Sequence, residues 1–116
     1  MAWTLLFHDK FEPEFEVLAE TVQDALLAAA RVLAERGPQL GRPLVDTLKG
    51  SRHANMKELR FAADDGVWRI AFAFDPARQA VLLCAGDKSG VAQKRFYKTL
   101  VATADARFNT WLEQAR

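Results

Sequence analysis

Apolar positions recur along the chain with two different periods, and the points where the period changes divide it into elements. Trp3–Phe7 (WTLLF) is a short apolar run suited to a first strand, ending before the polar HDK. From Pro13 onward the spacing becomes helical. Phe11, Phe15 and Leu18, then Val22, Leu26, Ala29 and Leu33, recur at three- and four-residue steps, which puts them on one helical face. Pro13 suits an early helical position, and Thr21 with Asp24 forms a weak version of a capping box. The spacing predicts a helical hairpin whose second arm is VQDALLAAARVLAER, stopped by Gly37-Pro38.

The stretch GPQLGRPLVDTLKGSRHAN has no clear period and is rich in glycine and proline. A structureless connection of this length is uncommon in a small domain, so it is expected to hold a small strand or turn, or to serve a function. Period two then takes over. In KELRFAA, Leu59 and Phe61 face one way and Glu58 and Arg60 the other. In WRIAFAF, Trp68, Ile70, Phe72 and Phe74 share a face, opposite Arg69, Ala71 and Ala73. The small-residue face suits an open concave surface around Arg69. AVLLCAG is apolar on both sides and reads as a central strand. Turn signals at Asp64-Asp65-Gly66 and Asp75-Pro76 make these three strands an antiparallel meander. After GDKSG the helical period returns, with Phe96, Leu100, Ala104, Phe108, Trp111 and Leu112 in one stripe and a break expected near Asp105. The order predicts an α/β (α+β) fold with an antiparallel or mixed sheet, in a single domain over residues 1–116.

Composition changes the picture in two ways. The formal charge of +1 hides an asymmetry: residues 1–36 carry seven acids and three bases, and the rest carry eight acids and thirteen bases. That imbalance can steer a polyanion toward one face. No apolar run approaches the roughly 20 residues needed to span a bilayer, and Met1–Phe7 lacks the features of an export signal. The expected setting is the cytoplasm, without membrane association. The lone Cys84 reads as a small buried hydrophobe, and His8 and His53 belong to no metal-binding spacing, so neither metal nor cofactor is expected.

The candidate chemistry is basic. Lys88, Lys94, Arg95 and Lys98 occur with no acid among them and with Tyr97 in their midst. Such groups neutralise phosphates, while a tyrosine stacks on a base or donates a hydrogen bond. A solvated basic face with a half-buried tyrosine fits the same spacing. Arg69, with Arg60 on the neighbouring strand and Lys57 just before it, forms a second basic group. Arg69 is also readable as a structural arginine paired with Asp75 or Glu58. Together these residues suit metal-independent RNA cleavage, in which a 2′-hydroxyl attacks the adjacent phosphate and cations stabilise the developing charge.

The strings LGRPLVDTLKGSRHANMKELRF, WRIAFAFDPARQAVLLCAGDKSG and KRFYK, in that order, resemble the phage-derived branch of the RelE/HigB superfamily of type II toxin–antitoxin toxins. The resemblance implies a fold related to microbial ribonucleases and ribosome-dependent cleavage of messenger RNA. It also implies inhibition by a cognate helix-turn-helix antitoxin, in a toxin–antitoxin heterotetramer. By resemblance Arg69 holds the scissile phosphate, with Lys88 and Tyr97 as the other catalytic residues; Lys57, Arg60, Lys94, Arg95 and Lys98 contact RNA. The C-terminal histidine of some HigB-type toxins is missing, and His53 is not its substitute. Two other readings stay open: a ParE-like gyrase inhibitor, and an inactive RNA- or protein-binding module of the same fold.

Overall fold

The computed structural model describes residues 2–114. Its centre is one five-stranded sheet with the spatial order β1-β5-β4-β3-β2. The strands are β1 (Thr4–Phe7), β2 (Val45–Thr47), β3 (Lys57–Ala63), β4 (Gly66–Phe74) and β5 (Gln79–Asp87). β1 runs parallel to β5 and the other neighbours are antiparallel. Helices α1 (Phe11–Glu16) and α2 (Glu20–Arg36) lie against one face, and α3 (Gln93–Gln114) lies against the other. Among the described residues no helix is long and apolar enough to cross a membrane.

The two-residue alternation of β4 produces both cores. Ile70 and Phe72 pack with Leu26, Leu33 and Phe11 beneath α1 and α2, whereas Ala71 and Ala73 pack with Leu100, Ala104 and Phe108 beneath α3. Burying a side chain such as Phe72 or Leu26 contributes about 1.5–3 kcal/mol each, so both layers stabilise the sheet. This corrects one expectation. The small-residue face of β4 is not an open concavity: Ala71 and Ala73 are small because α3 lies directly over them. Gly86 in β5 serves the same approach, since a Cβ there would come within 2.8 Å of the Phe96 ring.

The hairpin between β3 and β4 closes at Asp64 and Asp65, both with positive φ, as a two-residue turn of the primed type requires. Asp75 caps the next turn through the Ala77 and Gln79 amides and is therefore not a partner of Arg69. The helical pair is asymmetric: α1 has six residues and starts at Phe11, ahead of Pro13. No side-chain capping box forms at α2. Instead the Gln23 amide donates to the carbonyls of Phe15 and Glu16, tying the two helices. Gly37, at φ +61°, ends α2, and any Cβ there would collide with the Trp3 indole. The long connection does hold a strand, β2, at the sheet edge. α3 is continuous through Asp105, whose carboxylate is occupied by the loop after β2.

Candidate nucleic-acid interface

Register alone creates an electrostatic conflict at the centre of the α3 face. Arg60 of β3 stands directly opposite Arg69 of β4, and like charges so placed repel. The chain resolves it with Glu58, two residues before Arg60 on the same strand face, whose side chain is only 3% exposed. Arg60 Nη2 and Nε donate to Glu58 Oε2 at 2.9 and 3.1 Å. The other carboxylate oxygen accepts from the Tyr97 hydroxyl of α3 at 2.8 Å. Arg69 Nε donates to that hydroxyl at 3.3 Å and lies 3.6 Å from Glu58 Oε1, while its Nη1 donates to the Trp68 carbonyl. One buried carboxylate thus gathers two arginines and a phenol from three elements. Burial and the bond to Glu58 push the Tyr97 phenol above its ordinary pKa, with Arg69 opposing. For Arg60 burial works against the charge, but Glu58 and Asp46 outweigh it and raise its pKa.

This cluster forms the floor of a groove of about 710 Å³ between the β2–β3 edge and the start of α3. Arg42, Lys49, Arg60, Lys88 and Lys94 line it, with Asp46 pairing Arg42 and Arg60 at the β2 edge and with Tyr97 and Glu58 at its base. Lys88 places its ammonium 5.8 Å from the centroid of the Tyr97 ring, within reach of a cation–π attraction. A second hollow of about 730 Å³ shares Lys49, Lys94 and Tyr97 with the first and continues to Arg52 and Lys98. The two make one basic trough, able to hold phosphates along its length and equipped at one point with a carboxylate and a phenol for proton transfer.

Residues 13–109 match the family described as Phage derived protein Gp49-like (DUF891). The chain belongs to this Gp49-like family, of the RelE/HigB toxin type. It is 46% identical over 98 residues to a Mycobacterium tuberculosis protein bearing the toxin name HigB3, covering 84% of this chain and 83% of that one. It is 50% identical over 92 residues to another from the same organism bearing the toxin name HigB2, covering 78% of this chain but only 45% of the relative's length. Among solved structures, the free-state Escherichia coli toxin RelE with two arginines changed to alanine superposes with a TM-score of 0.59 at 16% identity, over 88% of this chain and 96% of that one. A chain of the archaeal RelE–RelB complex from Pyrococcus horikoshii gives 0.55 at 16% identity, over 78% of this chain and 100% of that one. At that identity the likeness is one of fold.

Within this HigB-type chain the sequence-predicted residues separate into three groups. Arg60, Lys88, Lys94 and Tyr97 meet in the groove, and Lys98 joins them along the trough. Arg69 adjoins the groove but is not part of its wall; its side chain is 12% exposed and lies behind Tyr97 and Glu58. Lys57 and Arg95 are elsewhere. Lys57 has the strand parity of Leu59 and Phe61, which pack with the α1–α2 core, so it faces away from Arg60. Arg95 falls on the other flank of α3, beside Phe11, Leu18 and Arg107. Sequence reasoning missed Glu58 as the hub, although it was a named alternative partner of Arg69. It also missed Arg42, Lys49 and Arg52, which lie in the aperiodic connection; the only signal was their basic charge in a loop too long to be idle.

Proposed function

We propose that this chain is the toxin of a toxin–antitoxin pair and an endoribonuclease that cleaves messenger RNA on the ribosome. The observation that carries the reading is the Glu58–Tyr97–Arg69 hydrogen-bond chain at the base of a basic trough. Arg60 and Lys88 face the groove and take the scissile phosphate. Glu58 accepts the proton of the attacking 2′-hydroxyl, and the 2′-oxygen bonds to phosphorus as the bond to the 5′-oxygen breaks. Tyr97, protonated at neutral pH, passes its proton to that departing oxygen and regains one from Glu58. Arg69 orients the phenol and carboxylate from behind. A docking surface for gyrase has no need of a buried proton-relaying pair, which favours cleavage over that alternative.

The HigB relatives, and the partnered archaeal RelE, support a cognate antitoxin for this chain. The sequence resemblance supports a helix-turn-helix antitoxin and a heterotetramer as its form. An acidic antitoxin segment laid along the trough inhibits by occlusion. The test is primer extension on a defined messenger RNA in a reconstituted translation reaction, with and without ribosomes. New 5′ ends only when ribosomes are present are the expected result. Intact RNA with undisturbed translation overturns the assignment.

A further inference from the structure

The second half of the trough is built with more care than a solvated basic patch requires. Lys49 and Arg52 are exposed residues on the loop between β2 and β3, and that loop is clamped to α3 by Asp105, a residue only 9% exposed. Asp105 Oδ1 accepts from the Ser51 hydroxyl and Oδ2 from the Arg52 amide at 2.9 Å. The Ser51 oxygen in turn accepts from the His53 amide at 3.0 Å. His53 Nε2 lies 2.8 Å from Asn109 Oδ1, and its ring stacks edge-on with Phe108. The acid that lines this hollow is therefore occupied by the loop itself. Among the described residues, Lys49, Arg52, Lys94 and Lys98 have no ion-pair partner. These cations, carried on a loop whose backbone is tied to α3 and on α3 itself, surround a hollow of about 730 Å³ and make it a site for anions.

We infer that the loop residues Lys49 and Arg52, with Lys94 and Lys98 of α3, form a separate subsite for the backbone phosphates of single-stranded RNA, and that Asp105 is the positioning residue that holds its loop in place. The subsite continues the groove over Tyr97, so it grips nucleotides adjacent to those bound above Glu58; in this sense it deepens the reading of the groove as an RNA-cleaving site. A single strand suits it better than a duplex because the walls are a loop and a helix flank rather than an element that enters a groove.

The experiment is fluorescence anisotropy with a labelled 2′-O-methyl oligonucleotide of about twelve nucleotides, which has no 2′-hydroxyl and cannot be cut, titrated across a range of salt. Each phosphate contact contributes a slope of about 0.7 in log K against log salt for single strands, so the Lys49→Ala/Arg52→Ala variant is expected to lose about 1.4 from the slope and about 25-fold in affinity near 0.1 M salt. Both side chains are exposed, and an unchanged melting curve checks that the fold is intact. Asp105→Asn should speed hydrogen exchange at the Arg52 amide and weaken binding in the same direction, which a mere loss of charge on the protein would not do. Absence of binding by the wild type, or a slope and affinity unchanged in the double variant, overturns the subsite. Binding that depends on Lys49 and Arg52 without ribosome-dependent cleavage leaves the subsite standing and removes the endonuclease.

Discussion

Replacing Glu58 by glutamine isolates the role of the buried carboxylate, since the shape is kept and the charge removed. In the wild type Glu58 compensates Arg60 and Arg69, which stand opposite each other across β3 and β4. Glutamine can still accept from Tyr97 through its carbonyl, but the amide nitrogen cannot accept from Arg60. Removing one partner of a buried ion pair costs about 3–5 kcal/mol. Here the Arg60 side chain is 30% exposed, so water screens part of the loss. A destabilisation of about 2–3 kcal/mol remains, which for a chain of this size corresponds to a melting temperature lower by about 8–12 °C.

The same substitution should move three observables in different directions. Stability falls, read by urea unfolding. Affinity for an uncleavable RNA rises, because the carboxylate no longer repels phosphate and Arg60, which lines the groove, loses its nearer counter-ion. Cleavage falls by about 100-fold or more, as expected when a proton acceptor is removed. A Glu58→Gln variant that cleaves at the wild-type rate refutes the assignment of proton acceptor. A variant that binds RNA more weakly refutes the claim that Glu58 competes with phosphate for the Arg60 guanidinium.

Three further outcomes are expected. Arg69→Ala should lower the cleavage rate by about 100-fold while RNA affinity changes little, because Arg69 acts behind the groove wall; an equal fall in affinity would show that it touches phosphate directly. His8 is buried, its Nδ1 accepts from the Lys10 amide, and burial is the main cause holding its pKa below 6.5. A depressed pKa means that the unfolded chain binds the proton first, so this stability is complete above pH 6.5 and is lost as pH falls through the folded-state value. Unfolding free energies measured from about pH 7.5 down to about pH 5 should show that slope, and His8→Gln should flatten it. The Cys84 thiol, pushed up to about 12 by burial, should resist a disulfide reagent in native buffer and react fully in denaturant; rapid native labelling would contradict its place beneath α3.

What the sequence conveyed about this fold follows from which features are local. The meander was readable because strand alternation and the turns at Asp64-Asp65 and Asp75-Pro76 are properties of neighbouring residues. The placement of α3 was not, and with it went the meaning of Ala71 and Ala73: small residues on a strand face fit an open surface and a closely packed helix equally well. Period also explains which basic residues lie away from the groove. Lys94, Arg95 and Lys98 look like one cluster in the linear chain, yet successive residues on a helix point about 100° apart, and Arg95 turns to the α1 flank while Lys94 and Lys98 share a side. Lys57 is set apart from the groove by strand parity for the same kind of reason.

Glu58 shows why a site is harder to read than a fold. Its alternation with Leu59 was plain, and so was its proximity to Arg60, but nothing local said that β4 would bring Arg69 opposite Arg60 or that α3 would lower Tyr97 onto the same carboxylate. Once those partners are present, a buried acid between the two arginines becomes a requirement: Asp46 reaches only the Arg60 side, and the mostly buried Arg69 needs a counter-charge of its own. The basic strand pattern therefore implied an acid. The acid's position on the same strand face two residues away, rather than in a distant loop, lets the structural counter-ion also serve as the proposed proton acceptor, so folding stability and cleavage should depend on one carboxylate.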